Sequence, residues 1–223
     1  MTATDRAYEA ILFDLDGTVI DSREDIARSG NAMLRDLQLP ERPPEELYRY
    51  IGEGLGRFVA RAMGGDEPAL GEETVRHAME VYRAYYREHC LDTTRPFEGV
   101  PEALEALRAA GRRLAIVTNK PEGFTRQILD GLGLTRLFEQ IVGSDTTPER
   151  KPDPAPVAHA LAALGVAPER AILIGDSHVD VQTARNAGIA LGIVTWGLGD
   201  PVELRAAEPE RVFERPRDLA RLA

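Results

Sequence analysis

Two aspartates separated by one residue follow an apolar run near the start of the chain. Asp14 and Asp16 stand in the segment Asp-Leu-Asp-Gly-Thr, directly after the apolar residues 10–13. The run is typical of a buried parallel strand. Two carboxylates at the end of such a strand are poor core material, because like charges repel and burial of charge is costly. The pattern therefore predicts a carboxylate nucleophile and a magnesium site that face a phosphate group.

Three further polar segments follow later apolar runs. Thr118 and Asn119 come directly after the second run, and Lys151 stands in a loop beyond the third. Asp176 and Asp180 follow the fourth run in the pattern Gly-Asp-Ser-x-x-Asp. Because parallel sheets bind ligands at the carboxyl ends of their strands, we expect all four segments to meet at one edge. Each motif alone is weak, but the four in this order form a strong joint signal.

The elements that must position these segments are short apolar runs alternating with longer amphipathic stretches. Repeated βα units of this kind predict an α/β fold, with a doubly wound parallel sheet and helices on both faces. The predicted strands are Glu9–Asp14, Arg113–Thr118, Gln140–Gly143, Ala171–Gly175 and Leu191–Thr195. The predicted helices between the later strands are Pro101–Ala110, Glu122–Leu132, Pro154–Leu164 and Val179–Ala187.

One long interval interrupts this alternation. The stretch between the first two predicted strands far exceeds the about 30 residues of a βαβ unit, and most of it has helical patterning. We therefore predict an inserted α-helical cap domain at residues 22–94, and a catalytic core formed by residues 1–21 and 95–223. The insertion point places the cap over the carboxyl ends of the strands. The predicted cap helices are Ile26–Leu37, Glu45–Ala62 and Glu72–Glu88.

The four motifs resemble those of the haloacid dehalogenase superfamily of phosphotransferases. Asp14 and Asp16 match its Asp-x-Asp-Gly-Thr motif, and Thr118 matches the Ser/Thr of the second motif. Lys151 matches the lysine of the third, and Asp176 and Asp180 match the acids of the fourth. The match covers essentially the whole predicted core. The resemblance implies a Rossmann-like core with a helical cap.

Within the superfamily, several segments are most similar to those of phosphoglycolate phosphatases. The second aspartate of the pair disfavours the dehalogenating branch. The resemblance implies a magnesium-dependent phosphatase that hydrolyses a small phosphomonoester, with 2-phosphoglycolate favoured, through an aspartyl-phosphate intermediate. It also implies that Mg²⁺ is held by Asp14, Asp176 and the main-chain carbonyl of Asp16. The similar segments are Val117–Pro121, Lys151–Pro154, Gly175–Gly188 and Ile51–Gly54.

The chemistry of phosphate esters explains why these residue types are needed. We expect Asp14 to attack phosphorus, and Asp16 to protonate the leaving alkoxide and then to activate the water that cleaves the intermediate. Lys151 and the metal neutralise the repulsion between two anions. Thr118 and main-chain N–H groups hydrogen-bond the phosphoryl oxygens. The predicted substrate-binding residues of these loops are Gly17, Thr118, Asn119 and Lys151.

The cap offers one candidate pair, and two residues of the core stay open. Arg57 and Arg61 lie four residues apart and project from one face of a predicted helix. One of them could hold the substrate carboxylate through two parallel hydrogen bonds, although arginines more often lie solvated at the surface. Asp180 is either a functional acid or a first-turn residue of a helix. Lys120 is either a wall of the cleft or a solvated charge.

Composition excludes several classes of protein. The chain has 223 residues, of which 43% are hydrophobic, and a formal net charge of −10. An acidic chain of this kind lacks the basic footprint of a nucleic-acid-binding protein. Cys90 is the single cysteine, which excludes an intrachain disulfide. Residues 1–8 are polar and no apolar run approaches the about 20 residues of a membrane helix, so we expect a cytoplasmic monomer or homodimer acting on a small phosphorylated metabolite.

Two groups of alternatives remain at this stage. A pyrophosphatase, a sugar-phosphate phosphatase or a phosphosugar mutase of the same fold would carry the same motifs. A non-catalytic phosphoacceptor or ligand-binding domain would belong to a different class. Such a domain would need neither Asp16 as an acid and base nor a long cap over the site. Hydrolysis of a chromogenic phosphomonoester, with and without magnesium, separates the two classes.

Overall fold

The computed structural model describes residues 8–65 and 67–223, so the first seven residues of the predicted core lie outside it. In the described residues the strands are β1 (Ala10–Phe13), β2 (Ile20–Asp21), β3 (Arg95–Pro96), β4 (Arg113–Val117), β5 (Gln140–Val142), β6 (Ala171–Gly175), β7 (Ala190–Val194) and β8 (Arg211–Phe213). Six of them form one parallel sheet in the order β5-β4-β1-β6-β7-β8, and β2 pairs with β3. The predicted doubly wound α/β fold is therefore confirmed.

Helices connect the strands and cover the sheet. None of those in the described ranges is long and apolar enough to cross a membrane. The α-helices are α1 (Arg23–Asp36), α2 (Pro44–Tyr48), α3 (Leu55–Ala62), α4 (Glu67–Leu70), α5 (Glu72–His89), α6 (Val100–Ala109), α7 (Glu122–Gly131), α8 (Ala155–Leu164), α9 (His178–Ala187) and α10 (Pro201–Ala206). Short 3₁₀ segments occupy Thr135–Leu137, Pro168–Arg170 and Pro216–Leu222.

The central strand β1 is buried on both faces. Ile11 and Phe13 belong to one hydrophobic core, and the two residues that alternate with them belong to the other. This follows from the two-residue repeat of a strand, which sends successive side chains to opposite faces. Phe13 lies in register with Ile116 of β4 and Ile174 of β6. The three strands therefore end nearly level, and their following loops begin at the same edge.

The helices α1 to α5 lie between β2 and β3 and pack on one another. The ring of Phe58 meets the edge of Tyr82 at 5.5 Å, and Tyr82 stacks on Tyr86 at 5.3 Å between ring centroids. Ile20 of β2 pairs with Pro96 of β3. The chain therefore enters and leaves the helical segment at adjacent points. The position of this helical segment agrees with that of the predicted cap. The division at residues 22 and 94 stays a prediction.

One predicted helix is wrong as a single element. The stretch Glu45–Ala62 was expected to be one helix, but the structure divides it into α2 and α3 with a loop between them. Gly52 and Gly54 in this loop have φ angles of +106° and +94°. Only glycine adopts such angles without steric strain, so these two residues turn the chain after α2, and Gly54 is the N-cap of α3.

Candidate active site

The first residue after β1 and the first residue after β4 each donate one more main-chain hydrogen bond to the neighbouring strand. Asp14 N donates to Ile174 O at 2.9 Å, and Thr118 N donates to Val142 O at 3.0 Å. Both residues are thereby fixed at the carboxyl ends of their strands. The structure brings residues of all four sequence motifs to this edge, as parallel strands that end level must do.

Three buried carboxylates face one buried ammonium at this edge. One oxygen from each of Asp14, Asp176 and Asp180 lies within 4.8 Å of the others. Nζ of Lys151 lies 3.0 Å from Oδ1 of Asp14 and 2.7 Å from Oδ1 of Asp180. Asp14 is 5% exposed, and the other three residues are buried more deeply still. The cluster therefore has more negative than positive charge, away from water.

Burial and mutual repulsion change the pKa values of these groups. Burial, opposed by Lys151 and assisted by Asp180, raises the pKa of Asp14 to about 6. Burial, followed by the charges of Asp14 and Asp180, raises the pKa of Asp176 to about 8. Burial lowers the pKa of the Lys151 ammonium, but the charges of Asp14 and Asp180 outweigh it and hold that pKa above its usual 10.5. Lys151 therefore stays protonated at neutral pH.

The donor set of the cluster fits a hard divalent cation. Carboxylate oxygens are the ligands that Mg²⁺ prefers in proteins, and three buried carboxylates face a single ammonium here. Oδ1 of Asp180 accepts from Lys151, and its Oδ2 accepts from the N–H and hydroxyl of Ser177. Asp180 thus pairs with the Lys151 ammonium and caps a helix, whereas the donors to Asp176 are neutral groups, so Asp176 is the better side-chain ligand beside Asp14.

Asp180 combines the two roles that the sequence left open. It forms a capping box with Ser177 at the start of α9, in which each side chain accepts from the main-chain N–H of the other residue. This is the role of a first-turn acid. Its other carboxylate oxygen, Oδ1, accepts a hydrogen bond from Nζ of Lys151 at 2.7 Å. Asp180 therefore fixes both the start of the helix and the lysine.

Asp176 is held by the loops on either side of it. The hydroxyl of Thr18 donates to its Oδ1 at 2.8 Å, and the N–H of Leu198 donates to its Oδ2 at 2.7 Å. Gly17 has a φ angle of +87°, and a Cβ there would lie 2.3 Å from Oδ2 of Asp176. Gly17 is therefore required for close approach. Its N–H donates to Ile20 O at 2.9 Å, so its predicted contact with substrate stays a prediction.

Asp16 is paired with Lys120, whose role the sequence alone leaves open. Nζ of Lys120 lies 2.9 Å from Oδ1 and 2.8 Å from Oδ2 of Asp16, and the hydroxyl of Ser22 donates to Oδ1 at 2.5 Å. The Lys120 side chain is only 6% exposed. It is therefore a wall of the cleft rather than a solvated charge. Its position two residues after Thr118, in a loop assigned to the site, is the sequence signal that could have decided between the two.

The loop after β4 joins the sheet edge to the helical segment. Thr118 Oγ1 accepts from the N–H of Lys120 at 3.2 Å, which forms a local turn and leaves the hydroxyl proton for a ligand. Asn119 Nδ2 donates to Lys151 O and to Gly52 O, both at 3.0 Å. Asn119 therefore links the loop after β4 to Lys151 and to the loop between α2 and α3.

The two arginines of the predicted cap bind another residue. Nη1 of Arg57 lies 2.5 Å, and Nη1 of Arg61 2.6 Å, from the carboxylate of Glu53. The guanidinium of Arg61 also lies 5.9 Å from the ring centroid of Tyr50. Neither arginine is among the described residues that line the cavity beside Asp14. The structure does not bring them to the site, and their contact with substrate stays a prediction.

A cavity opens beside the two aspartates, between the sheet edge and the helical segment. It contains about 530 Å³ not occupied by atoms, part of it open to solvent. Most of its wall is apolar or aromatic. The described residues that line it are Asp14, Asp16, Ile26, Tyr50, Ile51, Gly52, Gly54, Leu55, Phe58, Tyr82, Tyr86, Thr118, Asn119, Lys120, Pro121 and Phe124.

The sheet is doubly wound and carries buried carboxylates and a lysine at its carboxyl edge. This arrangement is typical of α/β enzymes whose own carboxyl groups act on an anionic substrate. Residues 11–194 match the family model of the haloacid dehalogenase-like hydrolases. The chain belongs to this family. This match confirms the superfamily membership that the four motifs predict.

Individual relatives agree with this assignment over nearly the whole chain. A phosphoglycolate phosphatase of Aquifex aeolicus (strain VF5) is 39% identical over 212 residues, which cover 95% of each chain. A phosphoglycolate phosphatase of Thiobacillus denitrificans is 41% identical over 197 residues, 87% of each chain. Among solved structures, a protein of Haemophilus somnus 129pt described as a "predicted phosphoglycolate phosphatase" superimposes with a TM-score of 0.86 and 31% identity, covering 96% of this chain and 97% of its own.

Proposed function

We propose that this protein is a magnesium-dependent phosphatase that hydrolyses 2-phosphoglycolate through an aspartyl-phosphate on Asp14. The reaction class follows from the family and its named relatives, and the chain is a phosphoric monoester hydrolase. The observation that carries the mechanism is the contact of Asp14 with Lys151 inside a buried acidic cluster. The cytoplasmic location and the oligomeric state stay predictions.

The proposed architecture is a core of residues 1–21 and 95–223 with a cap of residues 22–94. The antiparallel pair of β2 and β3 supports this division. It places the two connections between the core and the proposed cap side by side. The cavity also supports it, since residues of both parts line it. A cap of this kind excludes water from the phosphate while the first bond breaks.

In the first step, a carboxylate oxygen of Asp14 attacks phosphorus, and the ester P–O bond breaks. Asp16 enters this step protonated, although it contacts Lys120 in the structure, and its proton goes to the leaving alkoxide, so glycolate departs as a neutral alcohol at that oxygen. Lys151 offsets the repulsion between the Asp14 carboxylate and the phosphate dianion. The oxygen of the Thr118 hydroxyl accepts a hydrogen bond from the N–H of Lys120. The hydroxyl itself donates a hydrogen bond to a phosphoryl oxygen.

In the second step, water attacks the phosphorus of the aspartyl-phosphate. Asp16, now ionised, takes a proton from this water, and the bond between phosphorus and the Asp14 oxygen breaks. Inorganic phosphate leaves, and both aspartates return to their starting forms. The atoms balance without any further reactant.

Asp14, Asp176 and the main-chain carbonyl of Asp16 would hold Mg²⁺ in this site. When bound, the ion would supply positive charge that lowers the cost of bringing two anions together. The excess of carboxylates over ammonium groups in the cluster supports this assignment. Asp180 stays with Lys151 and keeps the lysine in place.

A panel of phosphate esters tests the proposed substrate. We expect the highest kcat/KM for 2-phosphoglycolate among small phosphomonoesters, sugar phosphates and pyrophosphate, with activity lost in EDTA and restored by Mg²⁺. A higher kcat/KM for a sugar phosphate or for pyrophosphate would reject 2-phosphoglycolate as the substrate. Full activity in excess EDTA would reject the role of the metal.

A further inference from the structure

Asp14 and Asp16 line two cavities, and the one that also contains Thr118 and Asn119 offers one positively charged group to a ligand. Among the described residues that line it, Lys120 alone carries a cationic side chain, and the acids are Asp14 and Asp16. The remaining wall is largely apolar and aromatic. A second anionic group on a ligand, besides its phosphate, therefore finds a counter-charge within this wall only at Lys120.

Lys120 stands between the acid of the reaction and the aromatic wall. Its Nζ contacts both oxygens of Asp16 and lies 5.1 Å from the ring centroid of Tyr86. The side chain is a flexible four-carbon stem with a compact charge and three donors. It can therefore keep one contact to Asp16 while another N–H turns to a ligand in the cavity.

Tyr86 contributes a buried hydroxyl that has no hydrogen-bond partner in the described part of the chain. The residue is 1% exposed, and its ring is fixed by stacking on Tyr82 at 5.3 Å and by the edge of Phe124 at 5.1 Å. Burial raises the pKa of this phenol well above its usual 10, so the hydroxyl remains a donor. A buried donor without a partner is unfavourable, and an acceptor on a ligand would remove that cost.

We propose that Lys120 and the hydroxyl of Tyr86 together bind the carboxylate of the substrate and set the preference for phosphorylated hydroxy acids. This inference rests on the proposed function. In 2-phosphoglycolate a single methylene separates the ester oxygen from the carboxylate. For an ester that lies in this cavity with its ester oxygen beside Asp16, Lys120 is within reach of the carboxylate, because Asp16 already contacts Lys120.

The substitution Tyr86→Phe tests the proposal while the ring and its packing are kept. The measured quantity is the ratio of kcat/KM for 2-phosphoglycolate to kcat/KM for ethyl phosphate, which lacks only the carboxylate function. We expect this ratio to fall at least tenfold, mainly through a higher KM for 2-phosphoglycolate. The control is Tyr85→Phe, which removes the same hydroxyl from the neighbouring position on α5, where the ring stacks on His89 outside the cavity wall.

Lys120→Met extends the test to the charged partner. Because Asp16 loses its ammonium partner, the hydrolysis of both esters slows, and we expect the ratio to fall by more than in Tyr86→Phe. Thermal melts followed by circular dichroism check that both variants are folded. Retention of the wild-type ratio in both variants would overturn the proposal, as would a loss of the ratio in Arg61→Ala but not in Tyr86→Phe.

The same measurements separate this proposal from the proposed function. A wild-type enzyme that shows no preference for 2-phosphoglycolate over ethyl phosphate contradicts the proposed substrate and, with it, the carboxylate site. A wild-type preference that survives in Tyr86→Phe and Lys120→Met contradicts the carboxylate site alone. A preference that both variants lose, and that Tyr85→Phe keeps, supports the site.

Discussion

Nζ of Lys151 lies 3.0 Å from Oδ1 of Asp14, at the point where the central strand of the sheet ends. Burial raises the pKa of Asp14 to about 6, and Lys151 opposes that rise. The carboxylate is therefore mainly ionised at neutral pH although it is almost fully buried. An ionised carboxylate fixed at a strand end, next to a permanent positive charge, is suited to attack phosphorus.

Asp14→Asn tests this assignment. The amide keeps the shape of the side chain but is not a nucleophile, so we expect kcat to fall at least a thousandfold, or about 4 kcal/mol of barrier. The fold should remain, since Lys151 keeps its contact with Asp180. Steady-state hydrolysis and a circular dichroism melt measure the two effects. Asp36→Asn, at the exposed end of α1, is the control, and residual activity above a thousandth of wild type would reject Asp14 as the nucleophile.

Asp16→Asn tests the general acid. Esters of basic alcohols need protonation of the leaving oxygen, whereas p-nitrophenol leaves readily as an anion. We therefore expect a larger loss of kcat/KM for alkyl phosphates than for p-nitrophenyl phosphate. A plot of log kcat/KM against leaving-group pKa should be steeper for the variant than for the wild type. Equal slopes would show that Asp16 does not protonate the leaving group.

The sequence predicted the buried strands well because each is a continuous apolar run. The predicted strand Ala171–Gly175 has the observed bounds of β6, and the first strand differs from β1 by one residue at each end. β8 was not predicted. It is three residues long, Arg211–Phe213, and begins with a charged residue, so its strand conformation depends on pairing with β7 rather than on its own pattern.

The candidate site was predictable where a residue directly follows a strand, as Asp14 and Asp176 do. The pair of Lys120 and Asp16 was not, because it joins positions 104 residues apart through the fold. Tyr86 was beyond sequence reasoning for another reason. It lies on α5, and which face of that amphipathic helix meets the sheet edge is decided by tertiary packing, not by the helical repeat.

Asp25→Ala should destabilise the junction between the helical segment and the sheet. Asp25, near the start of α1, accepts hydrogen bonds from the N–H and hydroxyl of both Thr93 and Thr94, at 2.6–3.0 Å. Removal of this carboxylate deprives the N–H and hydroxyl groups of Thr93 and Thr94 of their acceptor. We therefore expect the free energy of unfolding to fall by about 2–4 kcal/mol. Urea denaturation measures the change, with Asp36→Ala on the same helix as the control. A change below about 1 kcal/mol would contradict the importance of the contact.

Gly17→Ala should damage the acidic cluster. The added Cβ would lie 2.3 Å from Oδ2 of Asp176, and the backbone has a φ angle of +87°. We expect Asp176 to move and the Mg²⁺ concentration for half-maximal activity to rise at least tenfold. Gly111→Ala is a matched control, because its φ angle is +80° and nothing lies within 4 Å of a Cβ there. It carries the same backbone strain without the collision, so an equal effect in both variants would assign the loss to strain alone.

The pH dependence of stability provides a test that needs no substrate. The pKa values of Asp14 and Asp176 are raised from 3.8 to about 6 and about 8 in the folded protein. Between pH 4 and 8 the folded metal-free protein therefore binds more protons than the unfolded chain. Stability falls as pH rises wherever the folded state binds more protons, so we expect the Tm of the metal-free protein to decrease from pH 5 to pH 8.

Mg²⁺ should reverse this trend, because it competes with protons for the same carboxylates. We expect saturating Mg²⁺ to raise Tm clearly at pH 8 and little at pH 5, where Asp14 and Asp176 are mainly protonated. Asp176→Asn removes the group with the higher pKa, so both the decrease in Tm and the gain from Mg²⁺ should shrink in this variant. Thermal melts at several pH values, in EDTA and in Mg²⁺, measure all three effects. A gain from Mg²⁺ that is equal at pH 5 and pH 8, and unchanged in Asp176→Asn, would place the metal outside this cluster.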